Sequence, residues 1–252
     1  MKEKWKTAAA VLFWLAVWQL AAMAIRQQLF LPTPASVLKA LTELVPTVDF
    51  WRRIAFSLAR IAGGFFLAAA AAAVLAALAA AVDTVEVLLR PLILVMKTTP
   101  VASFIILALV WLPSRNLSVF ISFLMVLPVV YTATLAGIRQ TDPQLLEMAR
   151  VFRLPLVRRV RAIYLPETMP YFVSACSTAL GLAWKSGVAA EVIGLPGGSI
   201  GEALYQAKVF LTMPELFAWT VVIILASMLF ERAVLRLLRW AAARIAGTKE
   251  AV

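Results

Sequence analysis

Six apolar runs alternate along this chain with shorter stretches where Lys, Arg, Asp, Glu or Pro return. They fall at about 8–25, 54–82, 87–112, 117–138, 168–193 and 213–232. Each reaches or approaches the roughly 20 residues that a helix needs to cross a bilayer. Hydrocarbon offers no partners for open backbone groups, so each run is expected to be a helix. The pattern predicts an all-α, polytopic membrane helix bundle of about six spans, one domain over residues 1–252. The first run has a basic start and Ala22-x-Ala24, which also fits a cleavable leader. Its apolar stretch of about 18 residues is longer than the roughly 7–15 of a leader, which favours a retained helix.

Composition agrees with a membrane class: 63% of the residues are hydrophobic and 15% charged. A soluble domain carries about 25% charged residues. The net charge of +11 would suggest nucleic acid in a soluble protein. Here the cations gather in short loops, so no nucleic-acid partner is expected. Six spans put both termini on one side of the bilayer. The segments 1–7, 83–90, 139–167 and 231–252 on that side hold fifteen Lys and Arg, against six in 26–53, 113–117 and 194–212. The bias predicts cytoplasmic N and C termini.

Candidate chemistry is sparse. The chain has no histidine and one cysteine, Cys176, so no intrachain disulfide forms and no metal centre is expected. No phosphate-cradling G-x4-G-K-[ST] occurs; the nearest run, Gly194–Leu204, has no lysine after Gly201 and reads as a turn. ATP is therefore not bound by that motif, and energy must come from a partner. The second span holds Gly63, Gly64 and an alanine-rich run, small residues that let helix backbones approach in the interior or at a subunit contact. In the last span Arg232, Arg236 and Arg239 share a face, placed to reach lipid headgroups.

The loop 139–167 is the most informative stretch. Asp142 followed by Pro143 marks a helix start. Leu145, Ala149 and Phe152 fall on one face, and Pro155 interrupts. A second short segment, "LVRRVRAIY", ends at Leu165-Pro166 before the fifth span. A topology signal explains the five arginines between Arg150 and Arg161. It does not explain an apolar face outside the bilayer, which calls for a protein partner.

These residues resemble the cytoplasmic signature of bacterial ABC-importer permeases, E-A-A-x3-G-x9-I-x-L-P. Glu147, Met148 and Ala149, then Ile163, Leu165 and Pro166, stand at that spacing. Met148 replaces the first Ala, and Arg153 stands at the usual Gly, which could move the break to Pro155. "FLPTPASVLKAL" (30–41) and "AAEVIGLPGGSIGEALYQA" (189–207) resemble segments of the nitrate/sulfonate/taurine branch, with Ser199 at a usual Gly. The resemblance implies a coupling helix docked on a cytoplasmic ABC ATPase dimer. ATP and magnesium sit on that partner, and this chain binds no cofactor. It also implies a second copy of the permease, an extracytoplasmic substrate-binding protein, and residence in the bacterial cytoplasmic membrane.

Several polar groups fall within the spans. Lys97, Thr98 and Thr99 precede Pro100 in a stretch expected to kink and to line a pathway. Alternatively Lys97 reaches the cytoplasmic face from a span that starts near Pro91. Lys185 and Glu191 lie six residues apart, roughly 240° around a helix, so they do not face each other. A structural role is expected for Glu191. The expected function is a non-enzymatic permease subunit for a small anion such as a sulfonate, taurine or nitrate, or else a thiamine-precursor or riboflavin-like solute. An ion-gradient transporter would need carboxylates at midplane, and the spans hold few acids. An assembly protein would leave the loop signature unexplained.

Overall fold

The computed structural model describes residues 2–25, 27 and 29–245, and among these the regular elements are helical. Helices α1 (Lys2–Ile25), α2 (Pro34–Leu44), α3 (Val48–Ala81), α4 (Asp83–Thr98), α5 (Val101–Leu109) and α6 (Ser114–Arg139) form the first half. The second half comprises α7 (Pro143–Val151), α8 (Leu156–Arg159), α9 (Leu165–Gly194), α10 (Ile200–Val209) and α11 (Met213–Ile245). Helices α3 and α6 are long and apolar enough to cross a membrane by themselves.

The third apolar run is not one kinked helix. It is broken between Thr98 and Val101, and α4 and α5 meet at 102°. Pro100 has no N–H to continue the ladder, and it pushes the residue before it out of helical angles. Thr99 accordingly adopts φ −75° and ψ 130°. The pair counts as a third span only if the bend is included.

Helix α6 lies at the centre, packed on one side by α3 and on the other by α9. Ala68, Ala72, Ala76 and Ala79 of α3 are fully buried, while Phe66, Leu67, Val74 and Leu78 on other faces stay exposed. A Cβ at Gly64 would run into the backbone carbonyl of Val119 and the side chain of Ser122. The small residues of the second span therefore serve close packing within the bundle.

Helices α6 and α9 run antiparallel. Ser122 Oγ donates to the Ala183 carbonyl at 3.0 Å, and Tyr171 donates to Gln140 at the opposite end. One end of the bundle thus carries α7, and the other carries α10. At the α10 end, Phe50, Ile200, Ala203, Trp219 and Val222 form a separate apolar cluster with Leu41 and Leu44 of α2. Helix α2 starts where Thr33 accepts from the Ser36 amide at 3.2 Å, with Pro34 in its first turn. The apolar runs do not predict α2 and α10, which are short and lie outside them. Trp18 of α1 donates to the Pro32 carbonyl at 3.0 Å and lies against Phe217 of α11.

Candidate functional site

At the α7 end, Asp142 caps its helix by accepting from the Gln144 amide at 2.8 Å. The helix closes when the Leu154 amide donates to the Ala149 carbonyl at 2.9 Å. Arg153 sits between them at φ +50°. That left-handed conformation is the one glycine adopts without penalty at a helix C-terminus. Arg at the signature's Gly position thus takes a conformation that favours glycine, and the break falls at Arg153, not at Pro155.

The segment after the break is not a separate short helix. Helix α8, a wider π turn at Val160–Tyr164 and α9 follow one another without interruption. The Leu165 amide reaches the Val160 carbonyl, five residues back. Pro166 has no N–H to give, and its ring would crowd the carbonyl four residues before it. The π turn relieves that conflict, so Leu165-Pro166 continues the helix into α9.

Burial also corrects the expected apolar face. Ala149 is fully buried, Ile163 is 4% exposed, and Leu145 is half-buried, so these turn inward. The outward apolar surface consists of Met148, Val151, Phe152, Leu156 and Val157, with the last four between 69% and 79% exposed. Glu147, Arg153 and Leu165 are also exposed, and Pro166 is half-buried. Arg150, Arg158 and Arg161 stand exposed around the patch.

The base of this loop is tied to the bent pair. Arg139, the last residue of α6, donates to both carboxylate oxygens of Glu86 in the first turn of α4, one of them at 3.0 Å. Arg90 approaches the same carboxylate at 3.7 Å. Hydrogen bonding from Arg139, more than any other effect, holds the Glu86 carboxyl below its ordinary range.

At the α10 end, Glu191 is fully buried. Its Oε2 accepts from Ser57 Oγ at 2.6 Å and from the Gly201 amide at 3.3 Å. Ser57 Oγ accepts in turn from the Ile200 amide at 2.9 Å. A Cβ at Gly201 would overlap the Glu191 side chain and backbone, so only glycine admits this approach. Arg53 braces the same corner, reaching Asp49, Glu202 at 2.9 Å and the Ser199 carbonyl at 3.3 Å. Ser199 caps α10 by accepting from the Glu202 amide at 3.0 Å, and Glu202 accepts from Gly198 at 2.7 Å. The Ser-x-x-Glu spacing is legible as a capping signal. Nothing along the chain points to Ser57 or Arg53, which lie far away in sequence.

The remaining candidates separate into two groups. Lys97 lies in the last turn of α4, exposed, with Nζ 3.5 Å from Thr132 Oγ1. Lys97 is fourteen residues, about 21 Å, from Asp83 at the start of α4. Thr98 donates to the Leu94 carbonyl at 3.0 Å and Thr99 to that of Val95 at 2.8 Å. The hydroxyls thus add a second donor to carbonyls in the last turn of α4, where the Val95 carbonyl also accepts from the Thr99 amide at 3.1 Å. Lys185 is exposed on α9, in a strip with Tyr171, Ser174 and Thr178, while Glu191 is buried on another face. The two do not meet, as their spacing implies.

The geometry is that of a helical membrane bundle with an ordered loop that exposes large apolar side chains, and with no group of His, Cys, Asp or Glu able to hold a metal ion among the described residues. Comparison with known proteins points the same way. Residues 64–247 match the family of binding-protein-dependent transport system inner membrane components. The putative aliphatic sulfonates transport permease of Bacillus subtilis (strain 168) is 26% identical over 232 residues, 90% of this chain and 84% of that one. The putative aliphatic sulfonates transport permease of Escherichia coli (strain K12) is 35% identical over 198 residues, 78% and 75% of the two chains. The taurine transport permease of the same organism is 25% identical over 220 residues, 85% and 80%. The chain belongs to the binding-protein-dependent transport system inner membrane component family, in the nitrate/sulfonate/taurine branch of ABC-importer permeases.

Proposed function

We propose that this permease works as a pair of copies on a cytoplasmic ABC ATPase dimer, passing a small anion inward from an extracytoplasmic binding protein. The loop 139–167 and both termini face the cytoplasm, following the bias of Lys and Arg. The sulfonates and taurine of the relatives' names suggest the class of solute. ATP and magnesium belong to the partner, and this chain carries out no covalent step.

The observation that carries the reading is the patch of Met148, Val151, Phe152, Leu156 and Val157 around the left-handed turn at Arg153. Large apolar side chains this exposed, on an ordered element rimmed by arginines, call for a protein surface to cover them. The patch also has a mechanical route into the membrane. Helix α8 is continuous with α9, so displacement of Leu156 and Val157 moves α9 as a lever. The Glu86–Arg139 pair carries the same displacement to α4 and the break. ATPase closure at the patch thereby alternates which side of the bundle is open.

The test is purification of the chain in mild detergent with its neighbours. A stoichiometric ATPase should accompany it and should be lost in Phe152→Asp and Val157→Asp, whose side chains support no core. An ATPase retained by both variants would refute the docking surface.

A further inference from the structure

Among the described residues the two lysines of the spans pair with no carboxylate. Acids within the expected spans are Glu191, which is buried and engaged, and Glu215 and Glu231 at the two ends of the last span. Lys185 is nine residues, about 13 Å, from the end of α9, well inside the expected fifth span. A lysine held in hydrocarbon is costly, and groups of this kind face a water-filled cavity or a ligand.

Both lysines lie on the same side of the bundle. Met96 and Val101, flanking the break, share one apolar cluster with Met125 of α6 and Ala189 of α9. Lys97 reaches Thr132, two turns from Met125 on the same face of α6, and Lys185 lies one turn before Ala189 on the same face of α9. Their depths differ. The Ser122–Ala183 contact sets Lys185 near the level of Ser122, whereas Lys97 reaches Thr132. Ten residues of α6 separate those levels, about 15 Å. Exposed Thr178 and Ser174 occupy α9 beyond Lys185 in that direction.

Resting on the permease reading, we propose that this face is a two-station path for a small oxyanion such as a sulfonate. Lys185 receives the anion at the α10 end, and Lys97 with Thr132 receives it at the α7 end. Thr178 and Ser174 offer hydroxyl donors between the stations. The membrane subunit then selects for negative charge itself, beyond what any delivering protein selects. The break at Pro100 ends α4 just beyond Lys97, which therefore sits in the last turn of that helix.

The test uses the full chain in vesicles, with Cys176→Ala removing the buried native thiol and Lys185→Cys reporting access. The probes are two water-soluble methanethiosulfonates, one bearing a sulfonate and one a quaternary ammonium. With each rate divided by that reagent's rate with a free thiol in solution, the sulfonate reagent should react faster by about fivefold, since Lys97 leaves the path positive. Adding Lys97→Gln should abolish that preference. No reaction with either reagent would place Lys185 against lipid and overturn the proposal, and equal rates would overturn its charge selectivity. A preference present in phosphatidylcholine vesicles but erased by added phosphatidylglycerol would assign the lysines to lipid headgroups, also against it. Failure of the wild-type chain to retain an ATPase would instead sink the permease reading and leave the labelling result standing.

Discussion

Removing the Glu191 carboxyl tests whether the α10 end is held by one buried acceptor. Glu191→Ala leaves the Ser57 hydroxyl and the Gly201 amide without their acceptor, in a site with no exposure. Each orphaned buried donor costs about 1–3 kcal/mol. The Gly201 contact is long at 3.3 Å, so it belongs at the low end, and Ser57 at 2.6 Å belongs at the high end. Removing the carboxyl also relieves its own burial cost. The expected net loss is about 2–3 kcal/mol, or about 4–12 °C in Tm for a chain of this size. Glu191→Gln keeps one carbonyl oxygen for both donors and can turn its amide toward Ser118 Oγ, which lacks a partner. It should retain most of the stability. The assay is thermal unfolding of the purified variants in one detergent, with limited proteolysis between Leu195 and Ile200 as a local readout. A Glu191→Ala melting point within about 2 °C of wild type would refute the buried-acceptor account. So would a Glu191→Gln loss as large as that of Glu191→Ala, because the charge and not the acceptor geometry would then matter.

Arg153→Gly should stabilise the loop by up to about 1 kcal/mol, because glycine takes φ +50° without strain, and the gain should appear as a higher Tm. Ala149→Asp buries a carboxylate where the native residue has no exposure, so it should unfold the loop and expose it to protease. Glu147→Lys, at an exposed position, should leave the loop intact and weaken only ATPase binding. The folded Glu86 carboxyl lies below its ordinary value of 4.5, so its pairing stabilises above that pH and is lost as pH falls through the depressed value. The Tm difference between wild type and Glu86→Gln should therefore be constant near neutrality and close on acidification; a difference unchanged in acid would refute the pairing.

The chain by itself determined the class and the position of the loop. Apolar runs of bilayer length leave helix as the only way to satisfy the backbone, and that argument needs no long-range contact. Asp142-Pro143 is a local cap, and the structure keeps it. The register of Glu147, Ala149, Ile163 and Pro166 is also local, which makes the signature readable despite Met148 and Arg153. Contacts between distant segments are not readable in this way. Ser57 lies 134 residues from Glu191, and Arg53 lies 149 from Glu202, so no periodicity announces either contact. Spacing also misassigns the outward face of α7, because it gives which residues share a side, while only packing decides which side is covered. The protein itself covers Ala149, leaving Val151, Phe152 and Val157 outside. At Leu165-Pro166 a proline announces a helix end, yet a π turn absorbs it, because a wider turn costs less than breaking the helix that becomes α9. Pro100 meets no such accommodation and breaks its helix at 102°. A proline's constraint is written in the sequence; whether the chain bends, widens or stops there is decided by what the neighbouring helices can pack against.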